Sequence, residues 1–170
     1  AKDLFDGFHH MLTGVADDED EALERLRAAV ADGSAMEVFS RVIAAQGGDP
    51  GVIEDDSMLP VASHQHTITA HHDGIVAAAD ARRIGVAGMR LGAGRATIDD
   101  HIDPGVGITV LAKRGDAVAA GDPLATVQWN DPARLEDCLA MLEGAWEIGP
   151  EGTAPTLIRS RLRNEHASAS

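Results

Sequence analysis

The apolar residues of this chain change their period once, near Thr67, and that change limits what the chain can fold into. Before it they recur at three- and four-residue spacing, the mark of amphipathic helices. After it come short apolar runs bounded by Asp-Gly and Gly-Asp turn pairs, the mark of strands, with two helical stretches between them. An α+β fold is therefore expected.

The helical part covers residues 1–48. In KDLFDGFHHMLTG, Leu4, Phe8, Met11 and Leu12 share one stripe. An acidic run from Asp17 to Glu21 suits the start of a second helix, where carboxylates complement the helix dipole. Leu23, Leu26 and Val30 give it an apolar face and Gly33 ends it. Ser34 and Glu37 have the spacing of a capping box for a third helix that carries Met36, Phe39, Val42 and Ile43. Three such helices make little core alone, so their apolar faces are expected to pack on material outside this chain. Residues 49–66, rich in Pro, Gly and Asp, read as a linker or hinge.

Residues 67–163 read as the α+β domain. TITAHH and IVAAAD flank Asp73-Gly74 and predict a hairpin. ARRIGVAGMRLG predicts a short helix and GVGITVLA a strand. KRGDAVAAGDPLATV, with two Gly-Asp turns, predicts another hairpin-like unit. Asn130 or Asp131 can cap a further helix, with Pro132 in its first turn and Leu135, Leu139 and Leu142 along one face. WEIG and TLIRS are candidate edge strands, and residues 164–170 a frayed tail.

Composition excludes several partner classes. Aromatic residues are only 3% with no Tyr, so the core must be built of small aliphatic side chains, and base stacking has little to work with. A net charge of −14 repels nucleic acid and anionic lipid, so neither is expected as a partner. No apolar run is long enough to span a membrane and no signal pattern opens the chain, which points to the cytoplasm. The single cysteine, Cys138, cannot form an internal disulfide. No His or Lys at an adjacent helical position lowers its pKa, so it reads as a small core residue.

Several elements recur together in order. MLTGVADDEDEALERLRAAVADGSAMEVFSRVIAAQGGDP is followed by LP (Leu59, Pro60), A-x-x-D-G-x-V (Ala70 to Val76) and D-x-x-x-x-G-x-A (Asp80 to Ala87). LGAGR (Leu91 to Arg95), D-x-I-D (Asp100 to Asp103) and V-G-I (Val106 to Ile108) complete the set. In that order they resemble the pyrimidine-nucleoside and thymidine phosphorylases, from the end of the family's α/β domain through its C-terminal domain. Anthranilate phosphoribosyltransferase resembles the family in its first two domains but lacks this C-terminal one. The resemblance implies an α/β-hammerhead-like domain behind helices left over from the α/β domain. It also implies phosphorolysis, in which phosphate attacks C1′ of a pyrimidine nucleoside and releases the free base, with no cofactor besides inorganic phosphate. In the family a Gly- and Ser-rich loop holds phosphate and an Arg, Ser and Lys set holds the pyrimidine. Neither pattern exists here, and the only lysines are Lys2 and Lys113. No catalytic residue is therefore assigned, and the chemistry is expected to lie outside this chain, in the N-terminal, catalytic part of the same enzyme. The resemblance further implies a homodimer held mainly by the N-terminal helical domain. The alternative is a non-catalytic structural or binding module that packs against a separate catalytic subunit.

Two readings apply to the loop Gly92, Ala93, Gly94, Arg95. It could face the cleft and meet the α/β domain when the enzyme closes. Or it could simply end a helix, with Gly94 left-handed and Arg95 paired to Asp99 or Asp100. His64, His66, His71 and His72 invite a metal, since His64, His66 and His72 would share a side of an extended chain. No Cys or well-spaced carboxylate completes a ligand set, so surface histidines without a metal are expected. KRGDAVAAGDPLATV also resembles turn units of biotinyl and lipoyl carriers, but no Lys follows it to carry a cofactor.

Overall fold

The computed structural model describes residues 16–95, 97–156 and 160. The first expected helix, the middle of TLIRS and the C-terminal tail lie outside the described residues. The chain forms two compact units, residues 1–58 and 59–170.

The first unit contains two helices, α1 (Glu19–Ala31) and α2 (Ser34–Ala45), and two short 3-10 turns, Pro50–Ile53 and Asp56–Met58. Asp18 caps α1 by accepting from the Glu21 N–H at 2.8 Å, and Glu21 pairs with Arg25 one turn on. The expected Ser34/Glu37 capping box does not form. Ser34 is already inside α2, whose cap is the left-handed Gly33 with no side-chain hydrogen bond. Asp32 instead accepts from the Ser34 N–H at 2.9 Å, doing from the loop what the serine was expected to do. Helix α2 buries no residue: Met36, Phe39 and Val42 are 52%, 54% and 44% exposed.

The second unit consists of two three-stranded antiparallel sheets and two helices. Its elements are β1 (His64–Thr69), β2 (Gly74–Ala79), α3 (Ala81–Leu91), β3 (Gly107–Val110), β4 (Ala117–Val118), β5 (Pro123–Trp129), α4 (Pro132–Leu142) and β6 (Trp146–Gly149). One sheet has the order β1-β5-β3 and the other β4-β2-β6. The α+β class expected from the sequence is what forms.

Both expected hairpins are absent. β1 pairs with β5 and β2 with β4 and β6, so the chain changes sheet across Asp73-Gly74. Beyond Thr69 the buried Ala70 stays bonded to the 121–122 turn, donating to Asp122 O at 2.8 Å and accepting from the Gly121 N–H at 2.8 Å. The Asp73 carboxylate accepts from the Ala120 N–H, a distant partner, and the Asp-Gly pair makes a corner instead of a tight return. β4 and β5 part in the same way, although both Gly-Asp turns between Lys113 and Asp122 do form. In each, the carboxylate accepts from the N–H three residues earlier, Lys113 to Asp116 at 2.7 Å and Ala119 to Asp122 at 2.8 Å.

Two apolar clusters fill the unit. Ala87, Leu91, Val106, Val127, Cys138, Leu142 and Ala145 lie between α3, α4 and the β1-β5-β3 sheet. Ala70, Val76, Ala112 and Leu124 form the second, and Ile68 and Trp146 pack against both. Trp146 also donates its indole N–H to Ala112 O at 3.1 Å. Among the described residues, the largest fully buried side chains are Val76, Val127 and Cys138, in keeping with the low aromatic content.

Candidate functional site

Helix α3 starts at Asp80, whose carboxylate accepts from the Arg83 N–H at 2.9 Å, and ends at Gly92. Gly92 has φ of 108°, so the left-handed cap falls there and not at the expected Gly94. The Arg134 guanidinium lies over Gly92, 2.5 Å from where a Cβ would stand. Gly92 is buried, Ala93 and Arg95 are exposed, and Gly94 lies half-buried against Met89. Asp100 accepts from the Thr97 N–H at 2.9 Å and the Thr97 hydroxyl at 2.7 Å.

The Gly92 carbonyl accepts from the Asp103 N–H at 3.0 Å, which joins this loop to a polar cluster that sequence reasoning did not single out. Asp103 accepts from the Gly105 N–H at 2.9 Å and from the Asn130 amide at 2.8 Å, while Asn130 accepts from the Ser63 N–H at 2.8 Å. The Asn130 amide first, then the Gly105 N–H, with His101 and Arg134 nearby, hold the Asp103 carboxyl below its usual range. Leu91, His101, Asp103, Val106, Asp131 and Arg134 line a cavity of about 230 Å³ beside it. Of the two residues that could cap α4, Asp131 does so, accepting from the Ala133 and Arg134 N–H groups. That leaves Asn130 for the cluster. A spare capping residue was the one signal in the sequence, but its partners lie far away along the chain.

The histidines do not assemble. β1 ends at Thr69, so His72 does not share the strand side of His64 and His66. His64 stacks on Trp129 with ring centroids 4.5 Å apart, and His72 Nδ1 lies 3.0 Å from Asp73 O. His66, His71 and His72 instead rim a cavity of about 420 Å³ floored by Leu124, Leu139, Leu142, Trp146 and Ile148, with Glu143 at its edge. Among the described residues no three His, Cys, Asp or Glu side chains come together as a metal site. Cys138 is fully buried, and burial pushes its thiol up to about 11. No helix among the described residues is long and apolar enough to cross a membrane.

This arrangement consists of turn locks, helix caps and a polar cluster. Residues 75–149, from β2 to the end of β6, match the family model "Pyrimidine nucleoside phosphorylase C-terminal domain". The chain is 39% identical over 152 residues to a pyrimidine-nucleoside phosphorylase of Bacillus subtilis (strain 168), covering 89% of this chain and 35% of that protein. A pyrimidine-nucleoside phosphorylase of Staphylococcus haemolyticus is 39% identical over 148 residues, 87% of this chain and 34% of its own. A thymidine phosphorylase of Mycobacterium tuberculosis (strain H37Rv) is 37% identical over 129 residues, 75% and 29% respectively. Residues 75–149 are thus a C-terminal domain of the pyrimidine-nucleoside phosphorylase type. The chain spans about a third of the length of these curated relatives.

Proposed function

We propose that this chain is the C-terminal, non-catalytic part of a cytoplasmic pyrimidine-nucleoside or thymidine phosphorylase. The parent enzyme, a homodimer, converts a pyrimidine nucleoside and inorganic phosphate to free base and (deoxy)ribose 1-phosphate in nucleoside salvage. It uses no other cofactor. The observation that carries this reading is the match of residues 75–149 to the family's C-terminal domain, supported by 39% identity to a pyrimidine-nucleoside phosphorylase over 89% of the chain. Phosphorolysis needs donors for the incoming phosphate and for the negative charge that develops on the departing base. Lys113 is the only lysine of the second unit, and its Asp116 and Asp122 carboxylates lock turns.

The exposed apolar stripe of α2, with Met36, Phe39 and Val42, supports packing of the first unit against the catalytic part. The loop Gly92 to Arg95 is proposed to meet that part on closure through the exposed Ala93 and Arg95.

The test is base release from thymidine and from uridine by the purified, folded chain, with and without inorganic phosphate. No release by the chain alone is expected, and activity should appear when the remaining two thirds of the enzyme is supplied on the same polypeptide. Phosphate-dependent release by the chain alone would place an active site within it and overturn the reading.

A further inference from the structure

The polar cluster at Asp103 joins four stretches of the second unit that are remote in sequence. Ser63 belongs to the segment that leads into β1, and its N–H donates to Asn130 Oδ1 at 2.8 Å. The other end of the same amide donates to Asp103 Oδ2 at 2.8 Å. The second oxygen of Asp103 takes the Gly105 N–H at 2.9 Å, and its own N–H reaches Gly92 O at 3.0 Å. Asn130 is thus a two-ended bridge, its oxygen spent on one segment and its nitrogen on another. A further approach brings the same two segments together. A Cβ at Gly105 would stand 2.9 Å from the Val61 carbonyl carbon, so backbone lies directly on backbone there.

We propose that Asn130 and Asp103 couple the incoming segment Val61–Ser63 to the loop segments at Gly92 and Asp103–Val106, so that these shift as one body. The argument is geometric. Neither segment has a regular ladder of its own at these positions, and α4 is capped by Asp131 without help from Asn130. The bridge therefore holds loops and is not an incidental part of a helix cap. A shared amide makes each hydrogen bond depend on the orientation fixed by the other. Displacement of Asp103 turns the Asn130 side chain and weakens its hold on Ser63. This coupling is independent of the phosphorylase reading, since it concerns contacts within one unit.

Amide hydrogen exchange on the full chain tests it. Asp103→Ala removes the acceptor of Gly105 but leaves the Ser63–Asn130 hydrogen bond with both its partners. Coupling predicts that exchange at Ser63 rises about fivefold or more together with Gly105, as expected for loss of a hydrogen bond's worth of protection. The amides of Val127 and Cys138, in the core, should keep the parent rate. A rise at Gly105 with Ser63 unchanged would overturn the proposal. So would a uniform rise that included Val127 and Cys138, because the cluster would then only add to global stability. Should Asp103→Ala fail to fold, Asp103→Asn keeps the side-chain shape but cannot serve both donors, and the same comparison of Ser63 with Val127 decides the matter.

Discussion

At the scale of single residues, the acidity of the chain has a structural account. Asp18, Asp80 and Asp131 cap helices. Asp100, Asp116 and Asp122 each accept the N–H three residues earlier and lock a turn. These six carboxylates serve turn and cap chemistry. Cys138 is the residue whose titration says most about the core. Its thiol is raised to about 11 by burial, above the usual thiol value. A folded pKa above the unfolded one means that the stability contribution is complete below the unfolded value and is lost as pH rises through the folded one. The chain should therefore lose stability between about pH 9 and 11, and Cys138→Ala should lack that part of the loss. Urea midpoints measured across that range in both proteins check this. The native thiol should also resist alkylation at pH 8 until the chain is unfolded.

At the scale of elements, helix ends were largely legible and strand partners were not. Asp131 ahead of Pro132 and the glycines after residues 31 and 91 act within a turn of their own position, so sequence shows them. The failures were small and local: Gly33 and not Ser34 caps α2, and Gly92 and not Gly94 ends α3. In both places two suitable residues stand within two positions of each other, and the left-handed backbone falls on the first. Gly92→Ala should destabilise the chain by about 1–3 kcal/mol, because a side chain strains the left-handed backbone there. Thermal unfolding of Gly92→Ala against Gly94→Ala checks it, the latter being the milder because Gly94 lacks a positive φ and meets only Met89. The hairpins were misread for another reason. An Asp-Gly pair fixes a change of direction, not the partner on the far side. The Asp103–Asn130 cluster shows in the sequence only as a spare capping residue, since its members meet only in the finished fold.

At the scale of the whole molecule, the two units differ in how much they bury. The second encloses two apolar clusters, whereas α2 in the first keeps a stripe of large apolar side chains in the open. The second unit is put together by distant pairings. His64 opposes Trp129, Ala79 opposes Trp146, and no described strand pairs with the one next to it in the sequence. That topology sets a tempo. With no neighbouring strands to zip first, the chain must close long loops before any ladder returns free energy. Refolding followed by the fluorescence of Trp129 and Trp146 should take milliseconds to seconds, and a reaction complete within about 100 microseconds would count against it. During synthesis, then, the β1-β5-β3 sheet cannot form until Trp129 has left the ribosome, and the β4-β2-β6 sheet cannot be completed until Gly149 has followed.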